Sequence, residues 1–172
     1  MNTEIKTDKN EKGKTGYSFD RLVKETEKVI SDGCKLLKVA PPPMALIADD
    51  IGLGVMPIPT IEGMSNGQVL EKMGTALAHK GKGVKAVGFV CEAYVSKRTD
   101  IAPSADPKAK EVVFMAFEDE NGRKEMHTFK HTKGVLKRVK GVEGTNFHGL
   151  TDEFWKGYKN PKAVPTAQPT LC

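Results

Sequence analysis

The spacing of apolar residues predicts an amphipathic helix near the beginning of the chain. After Ser18, apolar residues recur every three or four positions, and Gly33 stands where a left-handed residue would end the helix. The residues of this face are Phe19, Leu22, Val23, Thr26, Val29 and Ile30. Residues 1–16 are polar and lack this periodicity, so they cannot offset their ordering entropy by burial, and we expect a disordered arm.

A capping signal at Ser65 predicts a second helix. Ser65 and Gln68 match the S-x-x-Q capping box, in which each side chain accepts a hydrogen bond from the backbone N–H of the other residue. Apolar residues then follow at helical spacing from Val69 to Leu77, so this helix should end near Gly81.

Four apolar runs predict the strands of a sheet, at residues 44–48, 84–96, 111–118 and 123–130. The longest run, 84–96, is apolar on both alternating faces, which is typical of a central strand covered on both sides. Pro57 and Pro59 follow the first run, so any strand that contains them must lie at a sheet edge or be irregular.

The turn between the last two runs carries the strongest local signal. Asn-Gly at residues 121–122 favours a hairpin with positive φ in its loop. A three-residue loop that ends in a left-handed Gly122 places Glu118 opposite Lys124, whereas a two-residue loop places Glu118 opposite Glu125. Because opposite charges stabilise a cross-strand pair, we expect the three-residue loop.

Together these elements predict one α+β domain in the order α-β-α-β-β-β, with a mixed, mostly antiparallel sheet covered by two helices. The second helix connects the first two strands, a connection that is right-handed if those strands are parallel. We expect the core domain to occupy residues 17–140. Residues 141–172 should form a basic and aromatic segment with a proline-rich tail, and Thr151 could begin one or two helical turns there.

The length and the cysteine content fit a single domain whose cysteines remain as free thiols. The chain has 172 residues, of which 38% are hydrophobic, enough for one domain with its own core. Its three cysteines are far apart and form no C-x-x-C pair. The chain shows no signal-peptide pattern and no apolar run long enough to span a bilayer. We therefore expect a soluble, cytoplasmic protein without a membrane partner.

The net charge of +5 is concentrated in the last third of the chain. Basic side chains there could neutralise phosphates, and an exposed aromatic could stack on a base. The nucleic-acid-binding candidates are Lys130, Lys133, Lys137, Arg138, Lys140 and Trp155. The alternative is a solvated basic face, with aromatic residues that dock the C-terminal segment onto the body.

Glu92 is an acidic residue within the apolar run at 84–96. It either lies at the rim of the core and is paired, or it is a binding or general-base carboxylate whose pKa is raised in a partly dry pocket. Asp49 and Asp50 end the first strand, and they would converge on Glu92 if that strand ran parallel beside the central one. The alternative is that the two aspartates cap a turn. These three carboxylates are the catalytic candidates, with or without a divalent cation.

Recognisable catalytic and cofactor motifs are absent from the sequence. It contains no phosphate-binding glycine loop, serine elbow or Cys–His arrangement. His127 and His131 would lie more than roughly 12 Å apart in a strand, too far to share a zinc ion. We expect no cofactor and no metal. The sequence leaves enzymatic activity open but favours a protein without it.

Four short stretches of the chain resemble a pattern found in uncharacterised bacterial and phage proteins. They are F-V-C-E-A-Y at 89–94, P-S-A-D-P at 103–107, E-V-V at 111–113 and E-D-E-N-G at 118–122. That family has no assigned activity, so the resemblance implies neither a substrate nor catalytic residues. It does imply that Glu92 and the proline loop matter together.

Three hypotheses for function follow. The first is a non-catalytic binding or assembly module that acts on an unknown protein partner or by self-association, supported by apolar and aromatic segments such as VMPIPTI and FWKGY. The second is a nucleic-acid-binding protein that uses the basic last third. The third is an enzyme that uses Glu92, Asp49 and Asp50.

Overall fold

The structure, a computed structural model, describes residues 17–95, 100–101, 105–139 and 150–161. Within these residues the chain forms three helices and six strands. They are α1 (Phe19–Leu37), β1 (Met44–Asp49), β2 (Leu53–Pro57), α2 (Asn66–His79), β3 (Val84–Val95), β4 (Lys110–Asp119), β5 (Lys124–Thr132), β6 (Val135–Arg138) and α3 (Leu150–Lys159). The α+β class is confirmed, with two strands and one helix more than predicted. The predicted arm at residues 1–16 lies outside the described residues.

The described strands form one sheet in the order β2-β1-β3-β4-β5-β6, and every neighbouring pair in it is antiparallel. β1 and β3 are also antiparallel, since Met44 pairs with Val90 and Asp49 with Val84. A parallel, right-handed connection through α2 therefore does not arise here. The reason is β2, which reverses the chain once more before α2 leads it back to β3.

The central position expected for β3 is confirmed. On one face of the sheet, Val90 packs in a core cluster beneath α1. On the other face, Phe89 packs in a second cluster beneath α2 and α3. Both side chains are fully buried. The C-terminal part of β3 leaves this cover, and Glu92 and Tyr94 are exposed.

Helix α1 begins as predicted but ends later. The Ser18 hydroxyl accepts a hydrogen bond from the Arg21 N–H at 3.2 Å, which caps the first turn. The predicted end at Gly33 is wrong, because buried Cys34 continues the core-facing stripe beyond Ile30. The helix runs to Leu37, and the left-handed residue that follows is Lys38 rather than a glycine.

The predicted loop between β4 and β5 is confirmed. Glu118 pairs with Lys124, and the Asp119 N–H donates to the Arg123 carbonyl at 3.0 Å. Gly122 has a φ of 84°. Asp119 Oδ1 accepts hydrogen bonds from the N–H groups of Asn121 and Arg123, both at 2.9 Å, which fixes the turn from within.

Helix α2 begins at the predicted capping box. The Ser65 N–H donates to Gln68 Oε1 at 2.9 Å, and the Gln68 N–H donates to Ser65 Oγ at 3.3 Å. The helix ends at His79, and Gly81 follows with a φ of 66°. The start and end predicted for this helix are therefore confirmed.

Two glycines allow α2 and α3 to cross at close range. A Cβ atom on Gly74 would overlap the Phe154 carbonyl, and one on Gly157 would overlap the Glu71 carbonyl. Thr75 Oγ1 contacts the Gly157 carbonyl at 3.2 Å across the crossing. Because α3 packs on α2 and on the sheet, the cluster beneath these two helices includes Leu150, Phe154, Trp155 and Tyr158.

We expect Gly74→Ala to lower the free energy of unfolding by more than about 2 kcal/mol, because the added methyl group must push two helix backbones apart. Gly33→Ala is the matched control, since a Cβ there meets no atom within 4 Å. It should raise the stability of α1 by about 0.5–1 kcal/mol. Urea unfolding followed by circular dichroism measures both, and equal stability of the two variants would contradict the close crossing.

Candidate functional site

The structure does not bring the three predicted carboxylates together. Asp49 pairs with Val84 at the start of β3, whereas Glu92 lies near the other end, roughly 26 Å along the strand at about 3.3 Å per residue. Asp49 Oδ1 accepts hydrogen bonds from the N–H groups of Gly52 and Ile51, at 2.9 and 2.8 Å. These bonds hold the pKa of Asp49 below its usual value, so this carboxylate shapes the β1–β2 turn.

Glu92 is exposed, and its negative charge raises the pKa of two cysteine thiols. Burial raises the pKa of the Cys91 thiol to about 11, and the negative charge of Glu92 adds to this effect. The same two causes, in the same order, raise the pKa of Cys34. Both thiols therefore stay protonated near neutral pH and are poor nucleophiles. Residues 102–104 of the proline loop lie outside the described residues, so its implied link to Glu92 stays a prediction.

The basic candidates divide between the two faces of the sheet. Lys130 and Lys137 are exposed and lie directly opposite each other in β5 and β6. Lys133 lies in the turn between these strands, with a φ of 48°. Arg138 points to the other face, where its Nη1 lies 3.9 Å from Glu27 Oε1 of α1. Lys140 lies outside the described residues.

Trp155, the aromatic candidate for stacking on a base, is buried, as expected under the alternative in which the aromatic residues dock the C-terminal segment onto the body. Its side chain is 4% exposed and packs beside Phe154 and Tyr158 in the cluster beneath α2 and α3. The reason is that Thr151, Phe154 and Trp155 share the face of α3 that packs against the body. Trp155 therefore cannot contribute to nucleic-acid binding by stacking.

A charged network joins α1 to β5, and sequence reasoning missed it. His127 is buried between two carboxylates: its Nδ1 contacts Glu27 of α1, and its Nε2 lies 3.3 Å from Glu125 Oε2. Arg123 Nη2 lies 2.7 Å from Glu125 Oε1 and 2.7 Å from Asp20 Oδ1. The available signal was the alternation of Arg123, Glu125 and His127 along one strand face. This network ties the helix to the sheet.

A buried acid, Glu118, lies where α3 meets the sheet. Burial raises the pKa of Glu118, an effect that a hydrogen bond with Thr151 and the charge of Lys124 oppose. Lys124 Nζ lies 3.6 Å from Glu118 Oε2 and also binds Asp152 at the first turn of α3. These contacts dock the helix. The described residues contain no group of three or more His, Cys, Asp or Glu side chains that could hold a metal ion.

The main chain of β2 faces outward at alternate residues. The Asp49 N–H donates to the Gly52 carbonyl at 3.0 Å, and the Ile58 N–H donates to the Pro43 carbonyl at 2.9 Å. In an antiparallel ladder these bonds fix which residues direct their main-chain N–H and C=O groups toward the neighbouring strand. Within β2 these residues are Gly54 and Met56. The main-chain groups of Leu53, Val55 and Pro57 face away from β1. The missing N–H of Pro57 therefore removes no bond to β1, and the edge position predicted for this proline is confirmed.

Most side chains along this margin are apolar, and none is charged. We call residues 51–61 the β2 edge; it contains no Lys, Arg, Asp or Glu. Ile51 is 88% exposed, Val55 51% and Ile61 41%. Natural proteins commonly protect an edge strand with charge, as Lys137 does on β6 at the opposite margin. An apolar edge without such charge marks an interaction site, and the β2 edge is our candidate functional site.

Comparison of the chain with protein-family models, curated proteins and solved structures finds no match. The resemblance to uncharacterised bacterial and phage proteins therefore has only the quoted residues as its support. Among the described helices we find none with both the length and the apolar character needed to span a lipid bilayer.

We expect Glu118→Gln to stabilise the protein relative to wild type at neutral pH, with a difference that shrinks in acid. Because the folded-state pKa of Glu118 is raised, its favourable contribution is complete below the unfolded-state pKa and is lost as pH rises through the folded-state pKa. Glutamine carries no charge that burial would penalise. Urea unfolding across pH measures the difference.

Glu111→Gln on the same strand is the control for the loss of one negative charge, because Glu111 is exposed. A Glu118→Gln variant that loses stability as pH rises, relative to wild type, would contradict the dominance of burial at this carboxyl group.

Proposed function

We propose that the protein is a non-catalytic binding or assembly module that adds an extended strand of a protein partner to its β2 edge. The observation that carries the proposal is the coincidence of outward main-chain groups with exposed, uncharged apolar side chains at one margin of the sheet. In strand addition, main-chain hydrogen bonds provide affinity and alternate side chains provide specificity. β2 offers both.

The hydrogen-bonding pattern defines what a partner strand must supply. The N–H groups of Leu53 and Val55 require carbonyl acceptors, whereas Pro57 offers only a carbonyl. A partner strand can meet these requirements with its own backbone, whatever its sequence. Because the edge has no charge, apolar or β-branched side chains are its best neighbours.

The other surfaces offer less for a partner strand. β6, at the opposite margin, has only four residues, and two of them are Lys137 and Arg138. Asp49 of β1 pairs with the start of β3, whereas Glu92 lies near the other end of β3, so the carboxylate site of the enzyme hypothesis is not assembled. We further propose a cytoplasmic location, which free Cys34 and Cys91 support because a reducing compartment keeps thiols unpaired.

A second candidate function, nucleic-acid binding, is favoured by one observation. Lys130 and Lys137 are directly opposite each other, and like charges in this position destabilise a strand pair by roughly 0.2–1 kcal/mol. A bound polyanion would offset that repulsion, and Lys133 lies in the turn nearby. With Trp155 buried, such binding would be electrostatic and strongly salt-dependent.

We expect Lys137→Glu to raise the free energy of unfolding by roughly 0.2–1 kcal/mol, because it places opposite charges across β5 and β6. If the pair serves nucleic acid, the same variant elutes from heparin at lower salt than Lys108→Glu, which removes an exposed lysine elsewhere. Equal elution of the two variants would count against the second candidate.

The main proposal is tested by selecting ten-residue peptides from a displayed library on the full chain. We expect selected peptides to be rich in β-branched residues and to shift the amide resonances of Leu53 and Val55. Val55→Lys should abolish their binding. Val135→Lys, at a residue of β6 that is 44% exposed, should leave it intact.

Peptides that bind without shifting the β2 amides, or that bind Val55→Lys as tightly as wild type, would overturn the proposal. A library that yields no binder at all would also count against it, because strand addition through the main chain tolerates many sequences.

A further inference from the structure

We infer that the strand that completes the β2 edge is β2 of a second copy of this chain, paired antiparallel about a twofold axis at Val55. This inference rests on the proposed function and adds the identity of the partner. The two sheets would then join edge to edge, with both copies contributing the same residues. Such an isologous contact is the commonest route to a closed dimer.

The main-chain groups of β2 complement themselves in this register. The N–H and carbonyl of Val55 face outward, so the two copies of Val55 can exchange both hydrogen bonds across the axis. The Leu53 N–H of each copy then meets the Pro57 carbonyl of the other. Pro57 lies at the end of the pairing. Because Pro57 has no N–H, the Leu53 carbonyl opposite it accepts a hydrogen bond from water instead.

The side chains also match. Val55 pairs with Leu46 and Leu53 with Ala48, and both partners belong to the cluster beneath α1, so Val55 and Leu53 lie on that face. A twofold axis perpendicular to the sheet keeps the two Val55 side chains on the same face, directly opposite each other. A β-branched pair in this position stabilises strand pairing, and it covers a side chain that is half exposed in the single chain.

Charge selects this pairing over others between copies. Two β2 edges meet without any charged residue between positions 51 and 61, so no like charges face each other. Pairing β6 with β6 would instead bring Lys137 and Arg138 of both copies together. Pairing β2 with β6 would join unlike edges and build an open chain of molecules rather than a closed dimer.

Sedimentation equilibrium of the full chain over a wide concentration range tests the inference. We expect a reversible dimer whose dissociation constant falls or stays constant as salt rises, because each copy carries a net charge of +5 away from an uncharged interface. Val55→Lys should weaken dimerisation by about tenfold or more, since it places like charges at the axis. Val135→Lys is the matched control and should remain dimeric.

Cross-linking tests the register. In a Cys172→Ser background, Val55→Cys should form an intermolecular disulfide under mild oxidation. The Cα atoms of a hydrogen-bonded antiparallel pair lie about 5.5 Å apart, within the range a disulfide spans. Val135→Cys in the same background should not cross-link. Circular dichroism of each variant confirms that it is folded, which is expected because both valines are about half exposed.

A monomer at all concentrations, a dimer that Val55→Lys leaves intact, or equal cross-linking at Val55 and Val135 would overturn the inference. The proposed function fails in a different way, namely when selected peptides do not bind at β2. A monomer whose β2 edge still binds such peptides would identify another protein's strand as the occupant and refute self-pairing alone.

Discussion

The structure depends on the burial of β3 on both of its faces. Phe89 and Val90 are adjacent and fully buried on opposite sides of the sheet, and full burial of such side chains contributes about 1.5–3 kcal/mol each. Cover is needed on both sides, and α1 supplies one layer while α2 and α3 supply the other. With β3 and β4 in the interior, the sheet that the described residues form has β2 and β6 as its two margins.

The chemistry of the two margins differs, and this difference directs the functional interpretation. The β5–β6 turn is anchored to the end of α1: a Cβ on Gly134 would lie 2.6 Å from the Cys34 carbonyl, so the turn packs against the helix backbone. The charged network around His127 links β5, the strand next to β6, to α1. β2 carries no charge, and its Leu53 packs against the cluster beneath α1.

Local rules were sufficient for the features that depend on a few consecutive residues. The capping box at Ser65, the loop ending at Gly122 and the edge position of Pro57 follow from backbone chemistry within one turn, and the structure confirms them. The close crossing at Gly74 depends on where α3 packs, which no local pattern encodes, whereas the helical spacing of the aromatic residues near Trp155 already indicated a docked segment as one alternative. The sequence indicated that the β2 edge is apolar. Which of its main-chain groups face outward follows only from the hydrogen-bonded pairing of β2 with β1.

Pro57 also has a protective consequence. An exposed apolar strand ordinarily templates further strands and can seed fibrils. Here the outward donors end at Val55, because Pro57 has none, and Pro59 follows closely. An incoming strand therefore finds a short template that it cannot extend past Pro57, so we expect this margin to have little tendency to nucleate fibrils.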